Sequence, residues 1–503
     1  MRFNLKTICS ALFMTGVAFS SLAQDVSDAL LLSSEDLQGT PRFTAMAGAF
    51  GALGGDLSAL KVNPAGSAVF TSNQSSFTLD YHTGRNENTY RGSRRNSSDN
   101  DFDISQAGAV FVFQTNNPDI SVNKFAFGVS YERTNNIDNN VSAQGQNSQS
   151  IADYFVNQAN GIPLDFFTLQ NNETFFSRYD DLLYEYGFSG QEAYLAYEAF
   201  LIDSQDPSEM QTDLYLSNVT STDLRQAYTE EYDGNSGKVV FNGALDINHR
   251  LKFGMNINAF FSDYTRFTRF NEQNSSQTGV SKVVYDNILD VHSSGISLDF
   301  GAIYQIHDKL RFGVSYETPT WMSVSEKISH SLHTRGEGFG SATADPEIFN
   351  IFPDYKFKTP GKWTGSLAMI FSENALLSID YSRQDYTQMK YRSNGFDVQN
   401  AEIKDAMQVS NRINVGGEYR LQGFSFRAGY SYVESPYKDD SLEGDINRFS
   451  AGLGYTFGMT RVDLSYVNSH QERDLAMKQS GISSPVHVKE QLHQISLGVA
   501  FMF

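Results

Sequence analysis

The sequence predicts an all-β membrane protein: a fourteen-stranded antiparallel transmembrane β-barrel with an N-terminal hatch inside the lumen and a partly helical extracellular cap. Three observations carry this expectation. His493–Phe503 ends the chain on a strand whose Ile495, Leu497, Val499, Phe501 and Phe503 share one apolar face, with Gln494, Ser496, Gly498, Ala500 and Met502 on the other. The same two-residue period recurs along the chain. The connections between periodic segments alternate between short and long, as they must when short periplasmic turns and longer outer loops join strands of about 9–11 residues.

Met1–Ala23 has the parts of a secretory signal: basic Arg2 and Lys6, the apolar core Ile8–Phe19, and small residues at Ser21-Leu22-Ala23, with cleavage expected before Gln24. The core is too short for a spanning helix. Cys9, the single cysteine, lies within it, so the mature chain would hold no disulfide, thiol chemistry or Cys-based metal site. Hydrophobic residues make up 40% of the chain, yet no apolar run of about 20 follows the signal, which excludes a polytopic helical membrane protein. Phe (39) and Tyr (26) far outnumber Trp (2) and Gly (39) is plentiful, a composition suited to aromatic girdles and glycine-rich walls. The net charge of −20 becomes two units more negative without Arg2 and Lys6, which argues against a nucleic-acid partner and fits solvated acidic loops.

The periodic segments fall near 75–85, 103–115, 121–135, 238–249, 252–270, 292–306, 310–328, 355–371, 375–391, 407–421, 424–436, 445–457, 460–471 and 489–503. Asn116–Ile120, Arg250-Leu251, His307–Lys309, Ser372–Asn374, Gln422-Gly423 and Gly458-Met459 are the brief connections. Asn86–Phe102, Asn271–Val291, Ser329–Asp354 and Glu472–Val488 are long and polar, and are expected as outer loops. An even count places both barrel ends in the periplasm. The barrel, 74–503, would sit in the bacterial outer membrane among its lipid and lipopolysaccharide, with no cofactor and as a monomer. The final strand resembles the closing strand of bacterial outer-membrane barrels, a resemblance that makes Phe501 and Phe503 the signal read by the barrel-assembly machinery. Arg412, Glu418, Arg427, Arg448, Arg461 and Asp463 fall at lumenal positions, either bracing a filled barrel or lining an aqueous path.

The longest connection, Asn136–Gly237, changes character along its length. Ile151, Tyr154 and Phe155, then Leu182, Leu183, Tyr186, Leu195, Tyr197 and Phe200, recur at three- and four-residue spacing and predict short amphipathic helices in an outer cap. Phe166 and Phe167 are candidates for a collecting surface that takes apolar ligand, or for the cap's own packing.

Between signal and first strand, 24–73 does not read as barrel wall. Small residues dominate Gly39–Gly66, and Asn63-Pro64 sets a rigid turn. Ala45–Ala49, Asp56–Leu60 and Asn63–Gly66 together resemble the N-terminal hatch of the FadL/TodX family of outer-membrane transporters, with Ala47 where that family usually has glycine. Gly313–Pro319 and Arg427–Tyr432 are similar to strands of the same family, and the wording of the hatch is most similar to Bacteroidales members, some labelled hemin receptor. The resemblance implies a passive carrier of hydrophobic compounds such as long-chain fatty acids, captured by outer loops, passed to a lumenal pocket and released sideways at an inward kink of the third strand. It implies that this kink touches the Asn63-Pro64-Ala65-Gly66 turn; Gly128 is its expected weak point, since glycine in a strand often marks a bend. Phe43, Met46, Phe50 and Leu53 are candidate ligand contacts in the hatch. A hemin receptor, an aqueous porin and a surface-binding protein are the alternatives. No His-x-x-x-His pair, phosphate-binding loop or nucleophile elbow points to an enzyme.

Overall fold

The computed structural model describes residues 26–115, 121–477 and 480–503; the secretory signal, its cleavage site and the turn Asn116–Ile120 lie outside them. Fourteen strands form one closed antiparallel wall. In chain order they are β1 (Gln74–Tyr90), β2 (Ser93–Gln114), β3 (Val122–Asn136, continued as Asn139–Asn147), β4 (Leu224–Ile247), β5 (Leu251–Gln273), β6 (Val280–His307) and β7 (Leu310–Glu317, continued as Trp321–Gly336). Then follow β8 (Tyr355–Lys358, continued as Lys362–Ser372), β9 (Ala375–Asp385), β10 (Val409–Leu421), β11 (Phe424–Val433), β12 (Ile446–Phe457), β13 (Thr460–Leu475) and β14 (Val486–Met502). Each strand pairs with its neighbour in sequence, and β14 closes on β1 with Phe77 opposite Val499. Phe503, just past β14, donates its backbone N–H to the Asn73 carbonyl and sets its ring edge-on to Phe111 across the seam.

The wall alternates as its period demands. Phe77, Phe127, Phe300, Leu453 and Leu497 point outward and are exposed, which in this fold means exposed to lipid. Ser496, Asp463, Asn256 and Thr78 point inward and are buried. Among the described residues no helix is long and apolar enough to cross a membrane.

The strands run further out than hydropathy indicates. Only Arg91-Gly92 separates β1 from β2, with φ of 48° and 80°, the positive values that let a two-residue turn follow the strand twist. The expected outer loop Asn86–Phe102 is therefore a hairpin, and Asn271–Val291 shrinks to residues 274–279 between β5 and β6. The reason is physical. A strand beyond the bilayer keeps its backbone ladder but no longer needs an apolar face, so the two-residue signal fades while the structure continues.

The cap insertion is likewise shorter than Asn136–Gly237, because its ends are the outer halves of β3 and β4. The helices α3 (Ala152–Ala159) and α4 (Phe175–Glu198) lie between them, as the spacing of their apolar residues predicts. Thr174 and Ser177 form a reciprocal capping box at the start of α4, and Gly187, at φ 70°, breaks the helix into two pieces. Inside the barrel lie α1 (Val26–Leu31), α2 (Pro41–Ala45) and two short 3-10 turns, Ser58–Lys61 and Pro64–Val69. Thr40 caps α2 by accepting from the Phe43 N–H, with Pro41 at the first helical position, where its missing N–H costs nothing.

Candidate functional site

The hatch is fastened to the wall by polar contacts on two sides. On one side Arg42 of α2 donates through Nε to Glu418 Oε2 at 2.8 Å, and Arg427 Nε reaches the same oxygen at 2.6 Å. Arg427 continues to Asp463 at 2.7 Å, and Arg461 meets Asp463 at 2.6 Å. Four of the six lumenal charges singled out in the sequence thus brace a filled interior. The other two do so as well: Arg412 donates to the Glu35 carbonyl at 3.1 Å and Arg448 meets Asp36 at 3.1 Å.

On the other side sits the Asn63-Pro64-Ala65-Gly66 turn. Asn63 caps its own 3-10 turn by accepting from the Ala65 N–H at 3.1 Å. Its Nδ2 donates to the Gly51 carbonyl at 2.7 Å and to the Ala302 carbonyl of β6 at 3.1 Å. Asn242 of β4 donates to the Pro64 carbonyl at 2.9 Å. The turn is therefore seated against β4, β5 and β6, and not at the bend of the third strand where the resemblance placed it.

Strand β3 does leave the wall, but not at Gly128. Its pairing with β2 passes through Val110↔Gly128 unbroken and ends at Gln106↔Glu132. Gly128 faces Leu60 of the hatch. From Glu132 to Asn135 four consecutive residues are buried, and the register with β4 shifts between Arg133 and Asn135. Beyond that shift the continuation of β3 turns over the inner face of β1, where Asn86 donates to the Asn140 carbonyl and Asn88 to the Ser142 carbonyl. Between β2 and β3 a seam without backbone ladder remains, level with the outward-facing Ile104 and Phe102. Arg133 closes it: its fully buried guanidinium reaches Asp101 at 2.8 Å and Asp103 at 2.7 Å, both on β2, with Asp138 at 3.9 Å. The segment behind the seam is the N-terminal one. Asp36 N–H donates to the Thr134 carbonyl at 2.9 Å, and Asn135 Nδ2 to the Ser34 carbonyl at 2.9 Å.

Just ahead of that segment, α1 fills an apolar chamber. Ala29 and Leu30 pack with Tyr264, Leu289, Met322, Val324, Phe357 and Tyr386. Asp28 meets Arg266 of β5 at 2.8 Å, both side chains almost fully buried. Beside α1 about 250 Å3 of lumen is open, bordered by Leu30, Asp36, Tyr232, Arg412 and Arg448.

The other sequence candidates are packing residues. Phe43, Met46, Phe50 and Leu53 form the hatch's own core, with the Arg42 guanidinium 5.1 Å from the Phe50 ring centre. Phe167 is buried in the cap against Tyr194, Tyr197 and Tyr215, and Phe166 meets Tyr186 edge-on. Small hatch residues bring the wall close, so its few large side chains are driven inward instead of lining a cavity. Sequence reasoning missed Arg133 with Asp101 and Asp103, and the Asp28–Arg266 pair. A signal for the first existed: Phe125, Phe127, Val129 and Tyr131 face lipid, and Arg133 is next in that parity. An arginine at a lipid-facing position means the strand has turned away.

The cap is pinned to the barrel by a buried acid. Glu192 of α4 accepts from the Tyr154 hydroxyl of α3 at 2.6 Å and the Tyr285 hydroxyl of β6 at 2.7 Å. Burial pushes its carboxyl up to about 7. The folded cap keeps this proton to about pH 7, whereas an opened cap releases it near the ordinary 4.5, so opening is favoured as pH rises through that window. The expected loss of cap stability between those limits is on the order of 3 kcal/mol. Hydrogen exchange of α4 amides, corrected for intrinsic rate, should show stronger protection at pH 5 than at pH 8. Glu192→Gln should flatten the difference, and an unchanged pH profile in that variant would remove Glu192 from the account.

A family model described as outer membrane protein transport protein (OMPP1/FadL/TodX) matches residues 214–502. The chain belongs to the FadL/TodX family. A FadL/TodX chain is an outer-membrane transport protein, and its family is one of transport proteins, not of enzymes. No curated protein matches the chain. Solved structures share the fold. A Pseudomonas aeruginosa FadL homologue is 12% identical, with 94% of this chain and 100% of that one covered and a TM-score of 0.55. The CymD monoaromatic hydrocarbon channel is 14% identical over 93% and 99% of the two chains, TM-score 0.51. The toluene transporter TodX of Pseudomonas putida is 14% identical over 94% and 100%, TM-score 0.51.

Proposed function

We propose that this chain passively carries hydrophobic compounds, long-chain fatty acid-like or other apolar small molecules, across the outer membrane. The observation that carries the reading is the unladdered seam between β2 and β3, which opens at the height of outward apolar side chains. A solute leaving there passes from protein to lipid without crossing water, and its apolar surface stays buried throughout. Exposed Phe176 and Tyr184 on the cap suit a first contact. The chamber now filled by α1 suits a second, because its apolar wall accepts an aliphatic or aromatic body and Arg266 accepts a carboxylate. Neighbours named for toluene and for monoaromatic hydrocarbons favour apolar cargo. The Asn63–Gly66 turn anchors the hatch in this reading, and Arg133 holds the exit shut.

The chain works as a monomer surrounded by lipid. The test is photo-crosslinking of the purified protein with a diazirine-bearing palmitate. Adducts are expected on chamber residues such as Met322 and Phe357 and on the seam strands near Ile104 and Tyr131. Removal of residues 26–31 should raise the chamber yield several-fold, and Arg133→Met should raise the seam yield. Adducts confined to the outer cap, or spread evenly over the lipid-facing wall, would defeat the proposal.

A further inference from the structure

Above the lipid-facing band, the outward surface of β13, β14 and β1 changes chemistry within two residues. Tyr466, Ile495 and Tyr81 stand side by side as the last largely apolar row. The next outward row is Asn468, His493 and Thr83, and the one after it is His470, Gln491 and Arg85. Arg85 and His470 thus flank Gln491 at one strand spacing each, about 4.8 Å, and His493 lies two residues below it on the same face.

These groups are uncompensated. Among the described residues no carboxylate lies within ion-pair distance of Arg85, His470 or His493. The nearby acids are engaged elsewhere, Glu87 with Arg94 at 3.2 Å and Glu472 with Lys489 at 2.8 Å. His493 is also oriented. Asn468 Nδ2 lies 3.0 Å and the Tyr466 hydroxyl 2.7 Å from its Nδ1. The amide can only donate, so Nδ1 accepts and the ring hydrogen sits on Nε2. The surface therefore offers a guanidinium fork, an amide and an imidazole N–H, bordered above by the row Glu472, Lys489 and Glu87, whose carboxylates are already held by Lys489 and Arg94.

We propose that this triad is a docking site for the phosphate of an outer-leaflet glycolipid. Arg85, His493 and His470 take the phosphate oxygens, with Gln491 between them. The rows beneath, Leu464, Leu497 and Phe77, receive the acyl chains. The position selects the occupant: charge complementarity asks for an anion, and the apolar band directly below asks that the anion carry hydrocarbon. Planar guanidinium donors match phosphate oxygens in pairs. The site lies one strand from the seam, since β1 pairs with β2 and places Tyr81 opposite Phe102, and the phosphate tells its occupant from an apolar cargo.

The test uses the purified full-length mature protein in detergent and native mass spectrometry with diphosphoryl lipid A, beside the same lipid A stripped of its phosphates. Retained diphosphoryl lipid A is expected to fall at least tenfold in Arg85→Gln/His470→Gln/His493→Gln. It should change less than twofold in Arg383→Gln, an exposed arginine on β9 outside the triad. Heat-modifiable migration confirms that each barrel is closed. Equal retention of the dephosphorylated lipid, equal loss in the Arg383 variant, or full retention by the triple variant would each overturn the proposal.

Discussion

Glu418→Ala should unfasten the hatch and raise the ion current through the barrel well above that of the parent. Glu418 is fully buried and holds three guanidinia: Arg42 of the hatch at 2.8 Å, and Arg427 and Arg420 of the wall at 2.6 and 2.7 Å. Alanine removes the anion and leaves the cations facing one another, with Asp463 already shared between Arg427 and Arg461. Truncating one partner of a buried charge network typically costs about 3–5 kcal/mol, because the remaining charges lose both water and partner. The wall does not depend on this contact, since its backbone ladder closes from β14 to β1. The loss therefore falls on hatch docking. In planar bilayers Glu418→Ala should show sustained ion current, its hatch should become accessible to added protease, and its heat-modifiable migration should match the parent. Glu418→Gln, which keeps an acceptor but no charge, should lie between. A variant with the parent's current and protease protection would mean that Arg42 is not what holds the hatch.

Gly254→Val should displace the Asn63-Pro64 turn from the opposite side. Gly254 and Gly301 face each other across β5 and β6 and form a bare seat for the turn. A Cβ on Gly254 would lie 2.3 Å from the Pro64 carbonyl carbon and 2.4 Å from the Ala65 nitrogen, and one on Gly301 would lie 2.0 Å from Asn63 Oδ1. Those are backbone atoms in the first case, so no side-chain rotation relieves the clash. Overpacking of this kind costs about 1–3 kcal/mol or more. It also breaks the buried bonds from Asn242 to Pro64 and from Asn63 to Ala302, each worth roughly 1 kcal/mol. Protease cleavage between Leu53 and Phe70 should appear in Gly254→Val, with Gly254→Ala intermediate, while the barrel still assembles. Uptake of a fluorescent fatty acid should fall if the seated hatch shapes the route. An unaltered cleavage pattern would show that the turn tolerates a shifted seat.

The two arms of the hatch show how far residue patterns reach. Asn63-Pro64 announces a rigid turn, because proline restricts its own φ and the residue before it. That much is local. Which strands receive the turn depends on glycines at Gly254 and Gly301, almost 200 residues or more away in sequence, and no periodicity links them. The bend of β3 teaches the same lesson. Conformational freedom alone marks Gly128 as the weak point, yet its missing side chain serves the close approach of Leu60. The strand turns instead where Arg133 finds two aspartates on β2, residues that hydropathy alone had assigned to a loop or its edge.

Local residue patterns were enough for the number of strands, their order, the return of both ends to one side of the barrel, the presence of an internal hatch and the helices of the cap. Each of these follows from short-range chemistry: a two-residue period, turn length, helical spacing and small-residue content. Packing across the closed barrel was needed to extend the outer strands past the bilayer, to seat α1 in the apolar chamber, to turn Phe43 and Phe167 into core, and to part β3 from β2 after Glu132. Those outcomes depend on how much volume a closed wall encloses and on which distant polar groups meet inside it. A buried charge or amide must find a partner somewhere in that volume, and the partner is chosen by geometry after the barrel closes.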